Sequence, residues 1–167
     1  MTPTMPDRAG ELIRALGLAR HPEGGFYREH FRSVREVVAR GDAAGRPRSA
    51  LTAIYFLLLE GEPSRWHAVS SDEVWHHYEG APIELYSVDP DRLELQCRRL
   101  GPATGDQDPV LAVPAGHWQA ARAMGPYALA GCSVGPGFDF ADFKLLREDD
   151  AMERRIREAF PDQADLI

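Results

Sequence analysis

The chain has 167 residues, 44% hydrophobic and 27% charged, a composition suited to one soluble globular domain with a core of its own. Its formal charge of −7 offers no basic field for nucleic acid or an anionic bilayer. The longest apolar run, 53–59, falls far short of the roughly 20 residues that cross a membrane. The first residues lack the basic-then-apolar layout of a secretory leader, and Cys97 and Cys132 have no Cys-x-x-Cys spacing. A cytoplasmic protein with two unpaired structural thiols is the expectation.

Residues 7–17 predict a helix, capped by Asp7, striped by Leu12, Ile13 and Leu16, and stopped at Gly17. His21-Pro22-Glu23-Gly24-Gly25 predicts a tight turn whose glycines permit positive φ or a close backbone approach. A strand follows over 26–31, placing Tyr27, Glu29 and Phe31 on one side, with 34–38 as its extension. Glu23, Tyr27 and Glu29 are candidates to line a site. After a polar loop over 41–49, residues 50–59 form an almost continuous apolar strand, expected to be buried on both faces.

Residues 64–80 read as strand, polar turn, strand, then glycine. Regular alternation puts Arg65, His67 and Val69 on one side of the first strand, with Trp66 facing away. It puts Glu73, Trp75 and His77 on one side of the second. Polar and aromatic groups on the core-facing side predict a pocket wall. Further strands are expected over 83–88, 93–100, 110–113, 127–134 and 138–146, with Pro114-Ala115-Gly116-His117-Trp118-Gln119 leading into another extended segment. Residues 149–160 predict a closing helix with Met152, Ile156 and Phe160 on one face. Eight to ten short strands between two helices make the fold mainly β, a sandwich or barrel.

Two of these stretches resemble the motifs of the cupin superfamily. Arg65-Trp66-His67 stands where the superfamily has His-x-His, and Glu73 precedes Gly80 by seven positions. Pro114-Ala115-Gly116 with Gln119 matches the second motif except that glutamine replaces its histidine. With His21–Tyr27, Ser71–His76 and Pro136–Phe143, the likeness extends from about Ile13 to Leu146 and is to the fifth cupin family, RmlC-like proteins of unknown function. The resemblance implies a double-stranded β-helix (jelly-roll) barrel with short flanking helices, the homodimeric state, and a small-molecule cavity at the barrel mouth. It also implies a metal set of His67, Glu73 and Gln119 if a divalent transition metal is bound. Arginine has no lone pair to offer at position 65, so the expectation is no metal cofactor.

Without metal, His67 and Glu73 form a candidate acid–base pair. Arg65 is then a clamp for an anionic group. Gln119 becomes a hydrogen-bonding partner, and Glu23, Tyr27, Trp75, His77 and Trp118 the remaining substrate contacts; Trp66 and Tyr78 are further flat surfaces. Three functions stay open. The first is a metal-independent epimerase or isomerase acting on a carbohydrate or small carboxylate. The second is a metal-dependent oxygenase or isomerase. The third is a non-catalytic binding or sensing module.

Overall fold

Side-chain alternation sorts the strands into two facing sheets, with a different apolar cluster on each side of each sheet. The computed structural model describes residues 7–167, and side chains from Arg8 onward. In chain order the elements are α1 (Asp7–Leu16), β1 (Ala19–Arg20), β2 (Phe26–Arg32), β3 (Glu36–Val38), β4 (Pro47–Ser49), β5 (Thr52–Leu59), β6 (Ser64–Val69) and β7 (Asp72–Gly80). They continue as β8 (Ile83–Asp89), β9 (Glu94–Leu100), β10 (Gln107–Asp108), β11 (Val110–Val113), β12 (Trp118–Ala123), β13 (Tyr127–Gly135), β14 (Phe143–Leu145) and α2 (Asp150–Ala159). Short 3-10 turns occupy Phe140–Asp142, Leu146–Glu148 and Pro161–Leu166.

One sheet runs β1-β2-β5-β13-β7-β11 and the other β10-β9-β8-β12-β6-β14. The chain changes sheet at each step from β5 to β8 and again from β11 to β14, which winds it into a jelly roll. Strand β5 is buried on both sides, as its unbroken apolar sequence requires. Phe56 and Leu58 point between the sheets, whereas Leu57 and Leu59 lie beneath α1. The second sheet is covered on its outside by α2 and the C-terminal turn, whose Ile156 and Leu166 pack with Trp66 and Trp118 of the sheet. Each such fully buried aliphatic side chain contributes about 1.5–3 kcal/mol.

Residues 34–38 do not extend β2. The chain leaves the sheet at Ser33, whose hydroxyl accepts from Arg35 N at 3.1 Å, and Val34 is left exposed. Strand β3 instead pairs with β4 in a separate two-stranded ribbon. Helices α1 and α2 lie where helical periodicity put them, and Asp149 caps α2 by accepting from Met152 N at 3.0 Å. The expected Asp7 cap falls outside the described side chains.

Candidate active site

The turn that carries Glu23 is pressed against the start of β6. Gly24 has φ +109°, and a Cβ there would collide with the Pro63 carbonyl, so only glycine lets the two segments approach. Arg65 N then donates to Glu23 O at 2.8 Å, and the Glu23 side chain enters the barrel with 6% of its surface exposed. One carboxylate oxygen accepts from Ser64 Oγ at 2.9 Å. The other lies 3.1 Å from His67 Nε2 and 3.5 Å from His21 Nδ1.

Ser64 and His67 both reach this carboxylate because β6 is bulged. Gln119 pairs with His67 but Ala121 pairs with Ser64, so three steps on β6 oppose two on β12. The extra residue breaks alternation and turns both Arg65 and Trp66 outward. Trp66 Nε1 donates to Gln163 O at 3.1 Å, and Arg65 Nη1 donates to Ile167 O at 2.9 Å. Arg65 therefore does not share a face with His67 and is not a clamp in the cavity. Trp66 faces away, as expected.

On β7 and β12, Glu73, Trp75 and Gln119 all point inward. The indole N–H can only donate, so Trp75 Nε1 at 3.1 Å identifies the Gln119 amide oxygen. The amide NH2 of Gln119 is thereby turned to the Glu73 carboxylate, which accepts from it. Trp75 belongs to the apolar core, edge-on to Phe56 at 5.5 Å, and orients Gln119 instead of lining the cavity. Three other assignments need correction. Trp118, one residue before Gln119, faces the outer cluster under α2. His77 lies four residues, about 13 Å, along β7 from Glu73, where its Nε2 is 3.2 Å from Ala81 O. Tyr78 sits at a register shift in β7, half-exposed on the outside near Tyr55.

The cavity has a volume of about 450 Å³. His67, Glu73, Glu23 and Tyr27 line it, together with His21 and Cys132, which sequence reasoning did not choose. His21 was legible in the same turn as Glu23. Cys132 carries no local signal, since only the register of β13 turns it inward. At the rim, Phe138, Asp139 and Phe140 come from the Pro136–Phe143 stretch, and Arg32 is the cation. Arg32 is forked onto both oxygens of Glu29 at 2.8 Å and also donates to Phe138 O at 2.9 Å.

Protons in the floor of the cavity can be counted from these contacts. His67 Nδ1 lies 2.7 Å from Arg65 O, and a carbonyl only accepts, so Nδ1 carries the hydrogen. Nε2 of the neutral ring then presents a lone pair to Glu23, and the two groups share one proton. Burial disfavours charge on either partner. It pushes Glu23 up to about 8, against the opposing hydrogen bond from Ser64, and lowers His67 despite the carboxylate of Glu73. The resting pair is therefore Glu23 O–H donating to neutral His67. His21 accepts from Glu23 N at 3.2 Å, and burial, then the repulsion a second protonated ring at His67 would meet, lower it to about 3. Glu73 is raised by burial, and the Cys132 thiol is held well above its usual range by burial and then by Glu73 and Glu23. Cys132 stays a protonated thiol.

The metal set implied by the resemblance does not fit this geometry. Gln119 turns N–H donors inward while Trp75 occupies its oxygen, and His67 Nε2 addresses Glu23. Among the described residues, no group of three or more His, Cys, Asp or Glu side chains is arranged to hold a metal ion. Likewise no helix among them is long and apolar enough to cross a membrane.

A jelly-roll barrel with polar groups gathered in one end of its interior is the architecture of the cupins. The chain belongs to that superfamily: the family model described as "Cupin superfamily (DUF985)" matches residues 10–146. A hypothetical protein from Leishmania major is similar at 30% identity, covering 95% of this chain and 96% of its own, with a TM-score of 0.79. A protein from Shewanella oneidensis is 32% identical over 93% of this chain and 92% of its own, with a TM-score of 0.76. Oxalate decarboxylase from Bacillus subtilis, at 16% identity and a TM-score of 0.56, shares the fold alone; the alignment covers 85% of this chain and 34% of that one. No curated protein matches the sequence.

Proposed function

We propose that this cupin is a cytoplasmic small-molecule enzyme of the isomerase or epimerase kind, working by acid–base chemistry without metal. The observation that carries the proposal is the 3.1 Å contact between the Glu23 carboxyl and His67 Nε2 at the cavity wall, with His67 Nδ1 already bonded to the Arg65 carbonyl. Transfer of that proton to His67 Nε2 leaves a Glu23 carboxylate beside an imidazolium, a base with its counter-charge in place. The carboxylate takes a proton from a carbon next to a carbonyl, and the bond's electron pair passes into the enolate. Return of the proton to the opposite face of that carbon gives the epimer, and transfer from His67 Nε2 back to Glu23 restores the resting pair with no net change at the protein. His67, not Glu73, is thus the partner of the working carboxylate, and Glu73 is a second carboxyl held in place by Gln119.

The lining favours a carbohydrate over a small carboxylate. Arg65 lies outside, and Arg32, the cation at the rim, is occupied by Glu29 and the Phe138 carbonyl. Glu73 and Asp139 also line the space, so an anion would enter without a free positive partner. Tyr27, Phe138 and Phe140 give flat apolar surfaces suited to a sugar ring.

The test is a panel of aldoses and ketoses incubated in D2O and followed by proton NMR. Wild type is expected to introduce deuterium next to the carbonyl of at least one sugar, and His67→Ala, still folded, to lose that exchange at least a hundredfold. Equal exchange by both proteins, or none by wild type across the panel, overturns the proposal.

A further inference from the structure

Arg65 carries its side chain outside the cavity and is no pocket cation. Its main chain nevertheless touches both members of the Glu23–His67 pair. Its N–H donates to Glu23 O at 2.8 Å, and its carbonyl accepts from His67 Nδ1 at 2.7 Å. The first contact locates the turn that carries Glu23; the second selects the tautomer that leaves Nε2 free for the Glu23 proton. Both depend on the bulge, because Ser64 and His67 point inward together only while Arg65 and Trp66 point outward together.

That outward arrangement is held from the far side of the sheet. Arg65 Nη1 donates to Ile167 O at 2.9 Å, and Trp66, 1% exposed, donates to Gln163 O at 3.1 Å. Leu166, fully buried, packs in the same cluster as Trp66 and anchors the segment that supplies those two carbonyls. A bulge has fewer ladder bonds to fix it than a regular pair, and these outer contacts add a restraint on it from the far side of the sheet.

We propose that Arg65 is the positioning residue of the Glu23–His67 pair, and that the C-terminal segment 161–167 holds it in place from outside the barrel. The segment thereby controls the proton position on His67 without touching the cavity.

The test reads that proton directly, so its outcome is independent of whether the pair turns over a substrate. Protein labelled with 15N at histidine is examined by NMR, with the His67 ring assigned by its loss in His67→Gln. Wild type is expected to show one tautomer with a slowly exchanging Nδ1–H. Arg65→Met keeps the apolar stem but loses the bond to Ile167. It should remain folded while the Nδ1–H signal broadens and exchanges at least tenfold faster, the ring nitrogens moving toward a mixture of tautomers. Arg65→Lys, which can still reach a carbonyl, should restore the wild-type spectrum. Trp66→Phe should shift the ring in the same direction by less, and it serves as the test if Arg65→Met fails to fold. A folded Arg65→Met or Trp66→Phe protein with an unchanged His67 tautomer overturns the proposal, as does failure of lysine to rescue.

Discussion

The interior of the barrel has two ends built from the same strands. Strand β7 sends Trp75 into an apolar cluster with Phe56, Leu58 and Ile83, and two residues earlier it sends Glu73 into the cavity. Strand β13 does likewise with Ala130 and Cys132, the latter bordering both. The apolar end obeys the rule that governs cores: inward positions are apolar and densely packed. The other end breaks it with two histidines and two glutamates, each satisfied by a neighbour and each with its charged form disfavoured by burial. One end supports the fold, and the other holds titratable groups at some cost to it.

Substitutions separate the two ends by the size of their effect. Ile83→Ala, which opens a void where nothing polar compensates, should lower unfolding free energy by about 2–5 kcal/mol in urea melts. A loss well under 1 kcal/mol would mean that this end is not tightly packed. At the boundary, Trp75→Phe leaves the buried Gln119 oxygen without its donor and should cost about 1–3 kcal/mol. The same variant frees the Gln119 amide to rotate, so it should also weaken any ligand-induced rise in melting temperature.

The smallest effect, below about pH 4.5 where glutamate is protonated in both states, is expected from Glu23→Gln, which keeps shape and hydrogen bonding. Its signature is a change in pH dependence. An unfolded glutamate ionises near 4.5 but native Glu23 near 8, so between those values the native state binds more protons and stability falls as pH rises. His21 acts in the opposite direction: unfolded it is protonated below 6.5, native only below about 3, so stability falls as pH drops through that window. The two opposing slopes overlap from 4.5 to 6.5. Wild type should therefore lose melting temperature from pH 6.5 to pH 8, and Glu23→Gln should lose clearly less. Parallel curves for the two proteins would contradict the assignment.

The apolar packing, inside the barrel and beneath the two helices, was largely legible in the sequence because its signals are local. The unbroken run to Leu59, the helix stripes with Leu12 and Ile156, and the turn glycines each encode their own neighbourhood. At the polar end, Glu23, Tyr27, His67, Glu73 and Gln119 were also found on the inside. What could not be read were the contacts set by register. A single bulge in β6 moved Arg65 to the outer face, and nothing in Ser64-Arg65-Trp66-His67 announces it. His67 also meets Glu23, from a distant turn, and not Glu73 from the next strand in sequence. Alternation along β12 also sent Trp118 outward once Gln119 was inside.

The chemistry of the Glu23–His67 pair depends most on where the shared proton rests. The decisive measurement is a titration of Glu23 by carboxyl carbon NMR, assigned with Glu23→Gln. A midpoint near 8, with the carboxyl protonated at neutral pH and His67 uncharged beside it, is what the account predicts. An ordinary midpoint near 4.5, leaving a carboxylate paired with a charged His67 at neutral pH, would contradict it.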